Sequence, residues 1–270
     1  MTFLPFGEAL RPAVFLERPN RFLCRVLLDG PPGSPMGDPV EAHLPDPGRL
    51  TELLVTGRRV MVAPAASPER RTRWTMALVR TPAGDGWVSV DTTLPNRLLA
   101  RAFAEAGAEA GAGATAGRRD ALSELPGWRL DRAEAVFGAS RFDFLLRGPG
   151  PERHGRGMIL EAKSVTLVED GRALFPDAVT ARGARHVREM AELARGGMPA
   201  TVIFVVQRED ADSIEAAWEI DPDFADALAE AREAGVRVIG RRCRVTPEGV
   251  TLLPDSVPVL EPSNPGGPGG

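Results

Sequence analysis

The run Thr201-Val202-Ile203-Phe204-Val205-Val206 has no charged side chain and meets a polar amide only at Gln207. A strand with one wet face alternates apolar and polar residues, so an unbroken apolar run of this length reads as a strand covered on both faces. Coverage on both sides requires helices, and the flanking sequence supplies them. One helix is expected from about Ala178 to Ala194. Another starts at Asp221-Pro222, an N-cap followed by proline at the first helical position, and ends at Gly235, a suitable residue just past a helix end. Strands are expected at Trp128–Phe137, Ser140–Arg147, Met158–Val165 and Gly235–Gly240, the last closing the core. With a helix over Leu98–Ala106 placed before them, the order is helix, three strands, helix, strand, helix, strand. That order predicts a mixed-sheet α/β domain, α+β overall, spanning residues 86–253.

Residues 1–85 read differently. Short strands are expected at Arg21–Leu28, Arg58–Ala63 and Trp74–Arg80, separated by Pro- and Gly-rich turns, as in a small β-barrel. The Ala/Gly-rich stretch Ala106–Gly117 reads as an insertion and Gly148–Gly157 as a turn. Residues 254–270 read as a disordered tail. No apolar run approaches a membrane span, and the N-terminus has no uninterrupted apolar segment of the signal-peptide kind. Cys24 and Cys243 lie outside any metal-ligand spacing. Read as reduced thiols, they favour an intracellular, cytoplasmic setting.

The formal net charge of −4 argues against a protein that coats nucleic acid wholesale. Residues 1–85, however, carry 11 Arg against 9 Asp and Glu, while the remainder carries 22 basic against 28 acidic residues. A local basic face on the N-terminal part is therefore expected.

Lys163 is the sole lysine among 33 Lys and Arg residues. It lies in Glu161-Ala162-Lys163, where side chains two apart share a strand face. An ammonium is a compact charge that can act where a planar guanidinium cannot. On the preceding strand, Phe142, Phe144 and Leu146 face a core and Asp143 the other side. A hairpin brings Asp143, Glu161 and Lys163 to one end of the sheet, with Glu134 as a fourth member. Two carboxylates hold a hard divalent ion such as Mg²⁺ or Mn²⁺, and a lysine orients water or steadies phosphate charge. A plain Lys–carboxylate ion pair would use the same residues. On the following helix, Val179, Gly183, Val187, Met190 and Ala194 form a packing stripe, while Arg182, Arg185, His186 and Glu189 lie towards another face. Gly183 inside this helix implies close packing there.

The chain resembles the sugar fermentation stimulation protein family (SfsA). The resemblance is carried by Arg21-Phe22-Leu23, by Ala42-His43-Leu44-Pro45-Asp46-Pro47-Gly48-Arg49-Leu50 and by Leu94-Pro95-Asn96-Arg97-Leu98. It continues in Ser140-Arg141-Phe142-Asp143-Phe144, Glu161-Ala162-Lys163-Ser164-Val165-Thr166-Leu167 and Phe175-Pro176-Asp177-Ala178-Val179-Thr180-Ala181-Arg182-Gly183. It implies an N-terminal OB-like barrel, a C-terminal domain similar to the PD-(D/E)xK nucleases, DNA binding and a role in regulating sugar catabolism. By position it implies Asp143 and Glu161 as metal carboxylates, with the Ala162 carbonyl beside them, Lys163 as the catalytic lysine and Glu134 as an upstream acid. Arg21, Arg25, Arg49, Arg58 and Arg59 would meet the nucleic-acid backbone from the barrel, and Arg182 or Arg185 the scissile phosphate. His43 is read either as a functional group of the barrel loop or as a capping residue. A nuclease and a non-catalytic DNA-binding regulator both remain open, as do RNA as partner and a homo-oligomeric state. A Schiff-base enzyme is disfavoured, since two neighbouring carboxylates raise a lysine's pKa.

Overall fold

The computed structural model describes residues 1–7, 9–30, 37–65, 67, 69–112, 122–138, 140–148 and 157–261. The barrel is built from β2 (Arg11–Asn20), β3 (Leu23–Leu28), β4 (Pro39–His43), β5 (Arg59–Pro64) and β6 (Trp74–Arg80), with β7 (Trp87–Ser89) added to β6. Alternation selects its interior. Cys24 and Val26 are buried while Arg25 between them is exposed, and Ala13 and Phe15 face the same core. Strands β4 and β6 pair in parallel at Ala42↔Trp74 and His43↔Thr75, which closes the five strands into a barrel. Closure removes free sheet edges.

The second domain holds a seven-stranded sheet in the order β1-β16-β15-β13-β10-β9-β8. Its strands are β1 (Thr2–Pro5), β8 (Arg129–Phe137), β9 (Ser140–Arg147), β10 (Gly157–Val165), β13 (Ala200–Val206), β15 (Arg237–Thr246) and β16 (Gly249–Ser256). Strands β10, β13 and β15 run parallel, and the outer strands are antiparallel. All seven residues of β13 are buried. Val202, Phe204 and Val206 pack in the layer under α2 (Ala181–Arg195) and α3 (Pro222–Glu233). Ile203 and Val205 pack in the opposite layer with Leu98, Leu99 and Phe103 of α1 (Leu94–Ala112). A small three-stranded sheet of β11 (Leu167–Glu169), β12 (Arg172–Phe175) and β14 (Ser213–Ala216) lies beside it.

Helix ends follow their local signals. Asp221 accepts from Phe224 N at 3.1 Å with Pro222 in the first turn, and Gly235 follows the last turn at φ +89°. Thr180 caps α2 by accepting from Gly183 N at 3.1 Å. Asp221 also accepts from Thr180 N at 2.7 Å, tying the two helix starts together. Gly183 sits against the Thr180 side chain, the close packing its place in a helix implied.

Several expectations need correction. The 85/86 boundary divides neither domain cleanly. β1 belongs to the large sheet, because it pairs with β16, and β7 belongs to the barrel, because it pairs with β6. Helix α1 runs four residues earlier and on to Ala112, since alanine favours helix; the rest of the expected insertion lies outside the described residues. The expected Gly148–Gly157 turn also falls mostly outside them, and Gly157 itself begins β10. Val179 precedes α2 and is 71% exposed, so it leaves the packing stripe, while Ala184, His186 and Ala191 join the buried face. Gly235–Gly240 is not the last strand, since β15 continues to Thr246 and turns into β16. Nor is the tail loose from 254. Val257 is buried, its N–H reaches Gly240 O at 2.9 Å, and Val259 bridges Ile214. Residues 262–270 lie outside the described residues.

Gly240 makes that docking possible, because a Cβ there would collide with the Val257 carbonyl oxygen and the Ile214 side chain. Gly240→Ala is expected to lower stability in urea denaturation by about 1–3 kcal/mol through overpacking, with an unchanged slope.

Candidate functional site

β10 pairs with β13 from Ile159 to Val165, but with β9 only as far as Leu160↔Phe144. Beyond that point a carboxylate replaces the backbone ladder: Asp143 Oδ2 accepts from Ala162 N at 2.8 Å. Asn96, in the first turn of α1, donates to Asp143 Oδ1 at 2.7 Å. Glu161 Oε2 approaches Asp143 N at 3.4 Å. Glu161 Oε1 accepts from Lys163 Nζ at 2.8 Å and meets His186 Nδ1 of α2 at 3.0 Å. An ionised carboxylate only accepts, so the facing Nδ1 carries its proton. Phe142 packs against the His186 ring. Glu161, Lys163 and His186 are all buried.

Burial opposes charge on Glu161, yet the His186 hydrogen bond and Lys163 hold its carboxyl at about 2. Asp143 moves the other way. Burial pushes it up, Glu161 adds to the rise, and the Ala162 amide, Asn96 and Lys163 only partly offset it. The two carboxylates thus sit side by side with divergent proton affinities, a pattern of functional sites. Among the described residues no three His, Cys, Asp or Glu side chains form a ready-made metal cage.

Glu134 is not part of this cluster. It lies on β8 with φ 55°, is largely exposed, and pairs with Arg141 at 3.1 Å. The barrel arginines also separate into two kinds. Arg25 pairs with Glu17 at 2.6 Å, and Arg59 makes two hydrogen bonds to Asp29. Arg58 is a structural clamp, donating to Thr81 O and Glu52 O. Arg21 and Arg49 are exposed, with no guanidinium partner among the described residues. On α2, Arg182 is exposed and Arg185 lies 3.8 Å from Glu189. His43 ends β4, in register with Leu23 and Thr75, and takes part in barrel closure.

A cleft of ≈ 380 Å³ separates the barrel from the sheet. Arg21 and the loop Asp46-Pro47-Gly48 form one wall, residues 174–180 form another, and Ala162 to Thr166 form the floor. Lys163 therefore faces the cleft, whereas Asp143 and Glu161 do not line it. The barrel loop is fixed by Arg18, which donates to Gly48 O and Arg49 O at 2.7 Å, to Arg21 O at 2.9 Å and to Asp46 O at 3.3 Å. Sequence reasoning missed Arg18, Asn96 and the inward turn of His186. The motif Leu94-Pro95-Asn96-Arg97-Leu98 was the one available signal for Asn96.

The molecule is thus a two-domain protein in which a closed OB barrel precedes a mixed-sheet domain carrying an Asp and a Glu-x-Lys at the end of one strand pair. Residues 16–90 match the SfsA N-terminal OB domain, and residues 93–249 match the sugar fermentation stimulation protein RE domain. The chain belongs to the sugar fermentation stimulation protein family. It is 41% identical over 242 residues to a sugar fermentation stimulation protein homolog of Moorella thermoacetica, covering 89% of this chain and 93% of the relative. A homolog of Shouchella clausii is 39% identical over 247 residues, covering 91% and 95%. The solved structure of Pyrococcus furiosus SfsA in complex with Ca²⁺ superposes with a TM-score of 0.79 at 25% identity, over 96% of this chain and 99% of that one. Among the described residues no helix is long and apolar enough to cross a membrane.

Asp46 yields a pH test of the cleft. Burial raises its carboxyl from 3.8 to about 6, against the Gly48 amide bond. Its folded value exceeds its unfolded value, so ionisation costs the folded state and stability falls as pH rises from 3.8 towards 6. In Asp46→Asn, urea denaturation at pH 4 and pH 7 is expected to show this fall reduced by roughly 1–3 kcal/mol.

Proposed function

We propose that this protein binds nucleic acid, DNA in the first instance, and hydrolyses phosphodiester bonds at a divalent-cation site formed by Asp143 and Glu161. The observation that carries the reading is the convergence of Asp143, Glu161 and Lys163 where β9 and β10 part. The donor set fits a hard cation. Glu161 stays ionised, and its Oε1 is saturated by Lys163 and His186 while Oε2 has only the 3.4 Å amide contact. A strand residue points its N–H and C=O to the same side, so the Ala162 carbonyl faces the gap that its amide faces. Two carboxylates and a carbonyl, completed by water, suit Mg²⁺ or Mn²⁺. The Pyrococcus furiosus relative, solved with Ca²⁺, supports divalent binding by this family.

When bound, such an ion lowers the pKa of a water and neutralises phosphate charge. The chain's own groups do the rest. Lys163 presents its ammonium both to Glu161 and to the cleft, where it orients the attacking water and steadies the phosphate oxygen. His186 fixes one oxygen of Glu161, and Asn96 and the Ala162 amide fix the two of Asp143, which holds both carboxylates in set orientations. Exposed Arg21, Arg49 and Arg182 provide phosphate contacts. A second reading, a non-catalytic DNA-binding regulator of sugar catabolism, is favoured by one observation: both carboxylates lie off the cleft wall.

Calorimetric titration with Mn²⁺, beside cleavage assays on DNA and RNA with Mg²⁺, Mn²⁺ or EDTA, separates the readings. Glu161→Gln and Asp143→Asn are each expected to weaken Mn²⁺ binding tenfold or more, roughly 1.4 kcal/mol. Lys163→Arg is expected to keep the fold and the metal and to lose cleavage. Metal binding without cleavage of any substrate leaves the regulator. Absence of nucleic-acid binding even at low salt defeats both readings.

A further inference from the structure

The turn joining β2 to β3 consists of Arg21 and Phe22, and it holds an aromatic ring out to solvent. Phe22 is 50% exposed, the most exposed aromatic side chain among the described residues. Its backbone is not loose. Phe22 N donates to Asn20 Oδ1 at 2.9 Å, Phe22 O accepts from Leu44 N at 2.9 Å, and Arg21 O accepts from Arg18 at 2.9 Å. The same Arg18 guanidinium holds Arg49 O at 2.7 Å, which brings the Arg21 and Arg49 backbones side by side. Both of their guanidiniums lack partners among the described residues, whereas Arg25 and Arg59 nearby on the barrel are matched by Glu17 and Asp29. Arg21 also lines the cleft that holds Lys163. The two cleft carboxylates face the loop's own amides, Asp46 that of Gly48 at 2.8 Å and Asp177 that of Leu50 at 3.4 Å. Arg21 therefore brings unmatched positive charge to the cleft, and Arg49 brings more on a backbone held by the same Arg18.

A phenyl ring has no donor or acceptor for a base edge; apart from touching a thymine methyl or wedging between duplex steps, its use towards a base is stacking, and an unpaired base offers its whole face for that. We propose that Arg21, Phe22 and Arg49 form a platform for an unpaired nucleic-acid strand, with one base stacked on Phe22 and the flanking phosphates on the two guanidiniums. This rests on the nucleic-acid reading above and adds strandedness to it. The platform leads the strand past Arg21 into the cleft over Lys163.

Anisotropy with a labelled oligo(dT) and with a blunt hairpin duplex, both in EDTA and with the full chain, tests it. Phe22→Ala is expected to weaken oligo(dT) binding by about 5- to 100-fold and to leave duplex binding unchanged, with Phe22→Trp restoring the loss. Arg21→Ala and Arg49→Ala should each reduce the log–log salt slope for oligo(dT) by about 0.7. The platform is refuted if Phe22→Ala binds oligo(dT) as the wild type does. Equal losses on both probes also refute it, because they mark Phe22 as a wedge into duplex. Wild type that binds duplex but not oligo(dT) refutes the platform while the nucleic-acid reading stands. Wild type that binds neither removes both.

Discussion

Val202, Phe204 and Val206 point into one apolar layer and Ile203 and Val205 into another, so β13 can exist only between helices on both sides. Meeting that constraint takes parallel crossovers, β10 to β13 through α2 and β13 to β15 through α3. Parallel strands leave their carboxyl ends on one side, where ligand sites of such sheets gather. Here the barrel docks at that end. Gln207, directly after β13, accepts from Ser89 N at 3.1 Å and donates to Asp91 O and Ser164 Oγ at 3.0 and 2.7 Å. The cleft exists because two domains meet where the central strands stop.

The electrostatics of Glu161 explain why a single lysine stands among so many arginines. A buried carboxylate is tolerated only when it is paired and hydrogen-bonded. Lys163 and His186 share one of its oxygens within a space left by Phe142 and the neighbouring strand. An ammonium fits there as a point charge. A planar guanidinium is bulkier and favours bidentate pairing with both oxygens of a carboxylate, whereas Lys163 shares a single Glu161 oxygen with His186. The composition of the chain and the chemistry of the cluster thus point to the same atom, Lys163 Nζ.

What could be read from the residues alone divides along local and non-local lines. α3 was legible to the residue, because Asp221, Pro222 and Gly235 are all local signals. β9 was legible from the Phe142, Phe144, Leu146 alternation, and Asp143, Glu161 and Lys163 followed from strand periodicity. β1, β7 and β16 were misassigned or missed because a strand's sheet is decided by partners far away in sequence. The three- and four-residue strands β11, β12 and β14 are too short to show a period. Whether a guanidinium is free is likewise non-local. Nothing near Arg59 in sequence announces Asp29, and nothing near Arg58 announces the Thr81 carbonyl. His186 grouped with Arg182 and Arg185 by helical spacing, and only packing against Phe142 turned it inward.

The barrel loop and the sheet domain form one wall system rather than two neighbours. Gly48 lies so close to the Asp177 carboxylate that a Cβ would overlap it, and the same carboxylate accepts from Leu50 N. Arg18 holds this loop through three of its carbonyls and ties it to the β2–β3 turn through Arg21 O. Three segments distant in sequence therefore set the width of the opening over Lys163: the β2–β3 turn, the Asp46-Pro47-Gly48 loop and the residues leading into α2. A change in any one of them acts on Lys163 through the cleft wall and not through Asp143 and Glu161, which are anchored separately by Asn96 and His186. Access to the cluster and the geometry of the cluster are thus held by different sets of bonds, and the first can vary while the second stays fixed.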